Sequence, residues 1–370
     1  MSKLDIRIEP GHQPAPSSLP DPLGFGKHFT GRMFTRRYTS ERGWHDAIIG
    51  PYRPLMIDPA AGVFQCGQMI FEGTKAYLRP DGNINLFRPE KNAERFNRSA
   101  ARIAMPQVDV HDHVQAIAEL VRLEQDWVPR QEGATLYIRP VMISTETSFE
   151  VRASRSYLHY IILSPVASLF TGGFKPISVY VSGDFVRTVR GGTGEAKTPG
   201  NYAGSLCGSE AADASGYQQV LWLDGVERRY VDEVGAMNIA LVYDGRHIRT
   251  PMLSGAILPG VTRDSLLQLA PDLGYTVEET RIDIEEVLRD INSGKITESF
   301  GIGTGAVISP VGRFGYQGKD YQVGTGEPGP VARHLYKSLT DIQYGRSPDP
   351  YGWTRLIEVI SAVKPIFVRA

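Results

Sequence analysis

The segment Gly191-Gly192-Thr193-Gly194-Glu195-Ala196-Lys197-Thr198-Pro199-Gly200-Asn201-Tyr202 sets a lysine among small residues, with a tyrosine five positions on. Three readings compete for it. The first is a flexible loop with a solvated lysine, since lysines are seldom buried. The second is a nucleotide-binding phosphate loop: Gly191 to Thr198 matches Gly-x-x-x-x-Gly-Lys-Thr, with Ala196 in place of the second glycine. The third is a lysine that forms a Schiff base with an aldehyde cofactor. Such a lysine needs small neighbours, so that backbone and a planar ring can approach closely. It also needs a neutral amine that can attack the aldehyde.

Two objections weigh against the phosphate loop. Its lysine and threonine would open a helix that Pro199-Gly200 interrupts, and Glu195 would put negative charge beside the phosphates. The Schiff-base reading asks for more parts elsewhere. Tyr202 suits a cofactor's phenolic oxygen, and a carboxylate should pair with the ring nitrogen. A phosphate needs a helix N-terminus or clustered amides. Val231-Asp232-Glu233-Val234-Gly235 offers the carboxylate ahead of a strand. Pro259-Gly260-Val261-Thr262-Arg263 is a turn opening a helix, and Gly301-Ile302-Gly303-Thr304-Gly305-Ala306 is a second amide-rich turn. The last run also fits Gly-x-Gly-x-x-Ala, a dinucleotide fingerprint. Val307-Ile308-Ser309-Pro310 then follows where that fingerprint requires a helix. Spacing alone leaves open whether these parts converge.

Outward from the lysine, strands and helices mix without a short repeat, which predicts α/β architecture with α+β type domains. Residues 10 to 24 hold five prolines and two glycines, so residues 1–24 read as an extended arm. Asp81-Gly82 between Lys75–Leu78 and Ile84–Phe87 predicts a hairpin. Helices are predicted over 89–104, opened by Pro89, and over 112–127. Strands follow at Thr135–Ser144 and Tyr157–Leu163. The glycine-containing run ending in Lys175-Pro176 predicts a linker over 170–176, between a small domain (25–169) and a larger one (177–370). In the larger domain strands are expected at 177–182, 218–223 and 236–243. Helices are expected at 262–269, Ile284–Ile291 and Val331–Tyr344.

The 370 residues exceed one compact core, which favours two domains. With 41% hydrophobic and 22% charged residues the composition is that of a globular protein. A formal charge of -1 lacks the basic excess of a nucleic-acid binder. Cys66 and Cys207 are in no metal-ligand spacing, so neither a disulfide framework nor a zinc site is expected. His111-x-His113 reads as two surface histidines at a helix start with no third ligand nearby. No apolar signal core or membrane-length window occurs, and a reducing, cytoplasmic setting is expected.

The lysine segment resembles the cofactor-lysine motif of branched-chain aminotransferases in Gly192 to Lys197 and Gly200-Asn201-Tyr202. So do Phe71-Glu72-Gly73-Thr74-Lys75-Ala76, Leu136-Tyr137-Ile138-Arg139-Pro140 and Gln218-Gln219-Val220-Leu221-Trp222-Leu223. Glu233 to Asn238, Ile257 to Arg263 and Leu339 to Gly345 continue the match, in order, from about Phe25 to Trp353.

The resemblance implies a pyridoxal 5'-phosphate enzyme of fold type IV, a homodimer in which a loop around Phe149 and Val151 reaches the other subunit's site. It implies transamination of leucine, isoleucine and valine with 2-oxoglutarate, in a ping-pong cycle. Lys197 would be the Schiff-base lysine and proton shuttle, Glu233 the partner of the pyridine nitrogen, and Tyr202 that of the phenolic oxygen. Arg95, Val261, Thr262 and Thr304 would hold the phosphate. Phe29, Phe71 and Tyr137 would line the side-chain pocket, and Arg139 would meet glutamate's distal carboxylate. Turns at Ala236 and Gly305 would offer amides to the α-carboxylate. Without the resemblance, Arg95 reads as a surface arginine and Arg139 as a solvated edge residue. Cys66 stands where the family usually has tyrosine and Met69 where it has glutamate, which suggests a roomier, more apolar pocket. The alternatives are a D-amino-acid aminotransferase or aminodeoxychorismate lyase of the same fold and, in other classes, a P-loop NTPase or a cofactor-binding protein without activity.

Overall fold

A computed structural model describes residues 3–167 and 174–359. The first part of the chain folds as β1 (Arg7–Ile8), β2 (Arg32–Thr39), β3 (Gly43–Pro51), α1 (Gly62–Cys66), β4 (Met69–Phe71), β5 (Thr74–Leu78) and β6 (Ile84–Phe87). Then come α2 (Pro89–Arg102), α3 (Val110–Leu123), β7 (Thr135–Ser144) and β8 (Ser156–Val166). The second part holds β9 (Ile177–Val181), α4 (Pro199–Ala203), α5 (Leu206–Ala214), β10 (Gln219–Leu223), β11 (Val231–Val234), β12 (Asn238–Tyr243), β13 (His247–Pro251) and α6 (Val261–Asp272). It continues with β14 (Thr276–Thr280), α7 (Ile284–Asn292), β15 (Ile296–Gly303), β16 (Val307–Tyr316), β17 (Lys319–Gln322), α8 (Pro330–Gln343) and β18 (Thr354–Ile357).

Two nine-stranded sheets organise the described residues. One runs β1-β3-β2-β8-β7-β5-β6-β18 with β4 also on β7; the other runs β11-β10-β9-β16-β15-β12-β13-β14 with β17 on β16. The change of sheet falls between β8 and β9. Most of the run expected as a linker, 170–173, lies outside the described residues. The final strand returns to the first sheet, pairing antiparallel with β6, so the second sheet does not account for everything after residue 177. The N-terminal arm also adds to the first sheet, through β1 beside β3.

Apolar periodicity explains the helices. In α3, Val114, Ile117, Ala118, Leu120 and Val121 are buried along one stripe, and the Asp109 carboxylate caps the start by accepting from the Asp112 amide. In α7, Ile284, Val287, Leu288 and Ile291 do the same beneath the second sheet, with Asp283 as cap. Each of the valine, leucine and isoleucine side chains among them contributes roughly 1.5–3 kcal/mol when fully buried. The helix expected over 112–127 breaks at Glu124 into a separate 3₁₀ turn, Gln125–Trp127. Among the described residues no helix is long and apolar enough to cross a membrane.

Candidate active site

Lys197 is held by three neighbours from the first half of the chain. Its carbonyl accepts from the Phe71 amide on β4 (3.0 Å). Its own amide donates to the Ser99 hydroxyl on α2 (2.9 Å), and the next residue, Thr198, donates from Oγ1 to the Met69 carbonyl (2.8 Å). The backbone at Lys197 therefore runs beside β4, which fixes where the side chain emerges. The glycine-rich run before it is folded back by Asn201, whose amide donates to the carbonyls of Thr193 and Ala196, both at 2.8 Å. Gly194 must be glycine here, because a Cβ would lie 2.1 Å from the Ala256 carbonyl oxygen. The half-buried Lys197 Nζ donates to the Tyr202 phenol at 3.1 Å and lies 5.3 Å from the Phe71 ring centroid. The solvated-loop reading is thereby corrected.

Glu233, on β11 opposite Trp222, is buried. One carboxylate oxygen pairs with Arg187 at 2.5 Å, and the other accepts from the Asn238 amide at 3.1 Å. Burial pushes the Glu233 carboxyl up to about 7, against the opposing charges of Arg187 and Lys197. Arg187, Asn201, Tyr202, Ser205, Glu233 and Ala236 border one crevice.

A phosphate-sized anion finds its donors nearby. Helix α6 begins at Val261 and Thr262 with no side-chain cap, so its first-turn amides have no intrahelical acceptor. Gly260, just before it, leaves no room for a Cβ, which would lie 2.0 Å from Asn238 Oδ1. Arg95 is not a surface residue: it is 3% exposed. Its Nε and Nη2 form a two-pronged pair with Glu72 (2.7 and 2.9 Å), and Nη1 donates to the Pro259 carbonyl (3.0 Å) just ahead of α6. Three of its five N–H groups are thus used, leaving two for an anion. Burial pushes Glu72 up, but Arg95, Lys197 and Asn92 outweigh it and hold the carboxyl below its ordinary range.

The apolar side is built by Phe71, Val141 and Ile143, with Met69 and Tyr202 packed against them. The Phe71 and Tyr202 rings lie 4.9 Å apart. Arg139 lies over Phe71 (4.8 Å) and Tyr137 (5.2 Å), and donates to the Tyr137 hydroxyl at 3.2 Å. Its Nε is buried without a partner, so the solvated-edge reading does not hold. Tyr137 fits only because residue 73 is glycine: a Cβ there would lie 1.9 Å from the phenol oxygen. Phe29 does not join this group. It stacks on Tyr52 at 5.3 Å, and the ring that meets Tyr137, edge-on at 5.1 Å, is Phe25. Ala236 forms the tip of the β11–β12 turn. Thr304, Gly305 and Ala306 form the turn from β15 to β16, which ends on Val307 with φ 63, a costly conformation for a β-branched residue.

Further expectations change in the fold. The proline objection to a phosphate loop fails, since Pro199 occupies the first turn of α4 rather than breaking a helix. That helix is only five residues long. Against the dinucleotide fingerprint, residues 307–310 do form a strand, part of β16. His111 is exposed, but His113 is buried and stacked on His159. A third potential ligand does exist, for Asp109, His111 and Asp112 come within 4.8 Å of one another. Asp109 caps its own helix and Asp112 pairs with Arg36. Cys66 is exposed, with Sγ against the Gly62 carbonyl. It borders a crevice with Glu146 and Arg152 rather than the Phe71 wall.

Sequence reading missed Arg187, Asn238, Glu72, Ser99 and Phe25. Arg187 stands ten residues before the lysine and carries no local signature; Asn238 and Glu72 lie inside the quoted motifs, where their polarity was the available signal.

The donor set fits pyridoxal phosphate: an amine beside a phenol, a buried carboxylate with one flank on the same crevice, and an uncapped helix start next to a half-free guanidinium. Residues 69–314 match the family model of amino-transferase class IV. The chain is 46% identical to branched-chain-amino-acid aminotransferase 2 of Bacillus subtilis, covering 98% of this chain and 100% of that one. It is 47% identical to a probable branched-chain-amino-acid aminotransferase of Streptomyces coelicolor, covering 95% and 99%. Its fold is similar to the pyridoxal-phosphate form of the branched-chain amino acid aminotransferase of Thermobaculum terrenum, with a TM-score of 0.73 and 25% identity over 89% of this chain and 99% of that one. The chain belongs to the class IV aminotransferases and, within them, to the branched-chain-amino-acid aminotransferases.

Proposed function

We propose that the chain moves the amino group of leucine, isoleucine or valine to 2-oxoglutarate, giving branched-chain 2-oxo acids and L-glutamate, with pyridoxal phosphate anchored on Lys197. The observation that carries this reading is the Lys197 amine beside the Tyr202 phenol, on an apolar wall with one arginine laid across it. When bound, pyridoxal phosphate supplies an electron-withdrawing ring that stabilises negative charge at the substrate Cα. Val261, Thr262, Thr304 and Arg95 would hold the phosphate end. Glu233 would keep the ring nitrogen protonated, and Tyr202 would donate to the phenolic oxygen. With the cofactor bound, Lys197 Nζ would take the proton from the substrate Cα as general base and, as general acid, deliver it to the cofactor's reactive carbon rather than back to Cα.

One pocket must accept an apolar side chain in one half-reaction and a carboxylate in the other. Phe71 and Tyr137 supply the first surface. Arg139 supplies the second, its cation resting on those same rings when no carboxylate is present. Amides at the turns of Ala236 and Gly305 receive the α-carboxylate that all substrates share. A panel of L- and D-amino acids against 2-oxoglutarate tests the reading: L-leucine, L-isoleucine and L-valine should lead it, and preference for a D-amino acid would overturn it.

The resemblance extends to a homodimer. Phe149 (77% exposed) and Val151 (92%) suit a loop that reaches a second copy; a monomer by sedimentation would contradict this. Two free cysteines accord with a reducing, cytoplasmic setting.

A further inference from the structure

Lys75 is 5% exposed, yet no ion pair to a carboxylate reaches it among the described residues. Its ammonium donates to one acceptor, the carbonyl of Gly305, at 2.7 Å. The bond joins the two sheets, because Lys75 lies on β5 of the first, paired with Tyr137 of β7, and Gly305 on the β15–β16 turn of the second. The turn it grips ends on Val307 with φ 63. A β-branched residue keeps such a conformation only where its surroundings hold it. A buried, unpaired ammonium is itself unfavourable, and here that charge sits against the turn whose amides the proposed function assigns to an anion.

We propose that Lys75 is a positioning residue: its ammonium pins the Gly305 carbonyl, sets the Thr304-Gly305-Ala306 turn for binding, and makes the site electropositive toward the substrate's α-carboxylate. This rests on the proposed function only in placing that carboxylate at the turn. Because every amino and 2-oxo acid substrate carries the α-carboxylate, Lys75 acts on all of them alike, whereas Arg139 acts on the distal carboxylate alone. Burial brings the Lys75 amine down to about 8, so the clasp loses charge within reach of ordinary assay conditions. Tyr77 on the same strand, Glu132, Lys175, Tyr336 and Tyr344 border the same cavity of about 240 Å³, and Tyr137 lies across β5–β7. Among these Glu132 and Lys175 are exposed, and the tyrosines Tyr77, Tyr336 and Tyr344 are all shifted upward by burial, leaving Lys75 the buried amine that burial brings down.

The test uses the holoenzyme and 4-methylpentanoate, a saturated acid that has the α-carboxylate but no amine to react. Its dissociation constant is measured by calorimetry for wild type, Lys75→Met and Lys75→Arg from pH 6.5 to 9.5. Wild-type affinity should fall as pH passes about 8. Lys75→Met should bind roughly tenfold more weakly at pH 7 with no such fall, and Lys75→Arg should restore affinity and carry it unchanged to pH 9.5. KM for leucine, valine and glutamate should rise together in Lys75→Met, with kcat changed less. Wild-type affinity and an unaltered pH profile in Lys75→Met would overturn the inference, as would selective loss of glutamate. Failure of the wild type to transaminate branched-chain amino acids would instead overturn the proposed function.

Discussion

Arg187 pairs with Glu233 at 2.5 Å inside the fold, with the guanidinium's Nη2 also donating to the carbonyl of Ala256 at 2.6 Å. The arginine is thus fixed by backbone and offers its charge to a carboxylate that burial would otherwise neutralise. Removing one member of such a pair leaves the other charge uncompensated.

Arg187→Met should therefore raise the Glu233 carboxyl above its present value of about 7. On the proposed function Glu233 works only as the carboxylate, so the acid limb of the kcat/KM profile should move to higher pH by about a unit or more. Arg187→Lys, which keeps the charge, should move it less. An acid limb that stays in place in Arg187→Met would detach the arginine from Glu233's ionisation.

On the proposed function, Arg139 separates the substrate classes. A charge-assisted hydrogen bond is worth about 1.5–3 kcal/mol, or roughly one to two decades in affinity. Arg139→Met should cost that much for glutamate and 2-oxoglutarate while largely sparing leucine. Equal damage in both half-reactions would mean that the arginine is structural or grips the α-carboxylate.

The aromatic pairings assign Phe25, not Phe29, to the wall beside Tyr137. Phe25→Ala should raise KM for leucine by roughly tenfold, because the apolar wall that shields the substrate side chain from water shrinks by a ring. Phe29→Ala should leave it within about twofold. The reverse order would restore Phe29 to the pocket.

A buried histidine pair links the fold to pH. His113 and His159 stack at 5.0 Å with no hydrogen bond to either ring nitrogen of His113. Burial brings His113 down to about 4 and His159 well below 6.5. Unfolded histidines titrate near 6.5. As pH falls from 6.5 toward 4 the unfolded chain takes up protons that the folded chain refuses, so stability falls; above 6.5 the pair contributes no pH dependence. The wild-type melting temperature should drop over that window more steeply than that of His113→Gln. Parallel curves would show that other groups dominate the acid limb.

Much of the fold and the site is legible in the sequence, for physical reasons that differ by element. Strand β7 has the bounds that its sequence predicts, Thr135–Ser144, because a long β-rich run with few breakers has one reading. Strands β2 and β3 escape sequence reading: in Arg32–Thr39 the charged residues Arg36 and Arg37 interrupt the apolar pattern, and Arg36 finds its partner, Asp112, on a helix 76 residues away. Lys197, Tyr202 and Glu233 emerge through motif resemblance, since their convergence depends on the packing of β4, α2 and β11, which no local spacing encodes. Arg95 and Arg139 read as exposed because an arginine's burial is decided by distant partners, here Glu72 and the Phe71 and Tyr137 rings. Phe29 stands in for Phe25 in the sequence reading because four residues separate two equivalent aromatic rings, and only the path of the chain distinguishes them.

On the proposed function, Lys197 and no other lysine carries the cofactor. Borohydride reduction of the holoenzyme followed by peptide mass mapping tests it most directly. Lys75 is the informative competitor, because it too is buried and its amine is brought down to about 8. The pyridoxyl label should fall on the peptide containing Lys197, disappear in Lys197→Ala together with nearly all turnover, and persist in Lys75→Met. A label on Lys75 or any other lysine of the wild type would overturn the assignment of Lys197.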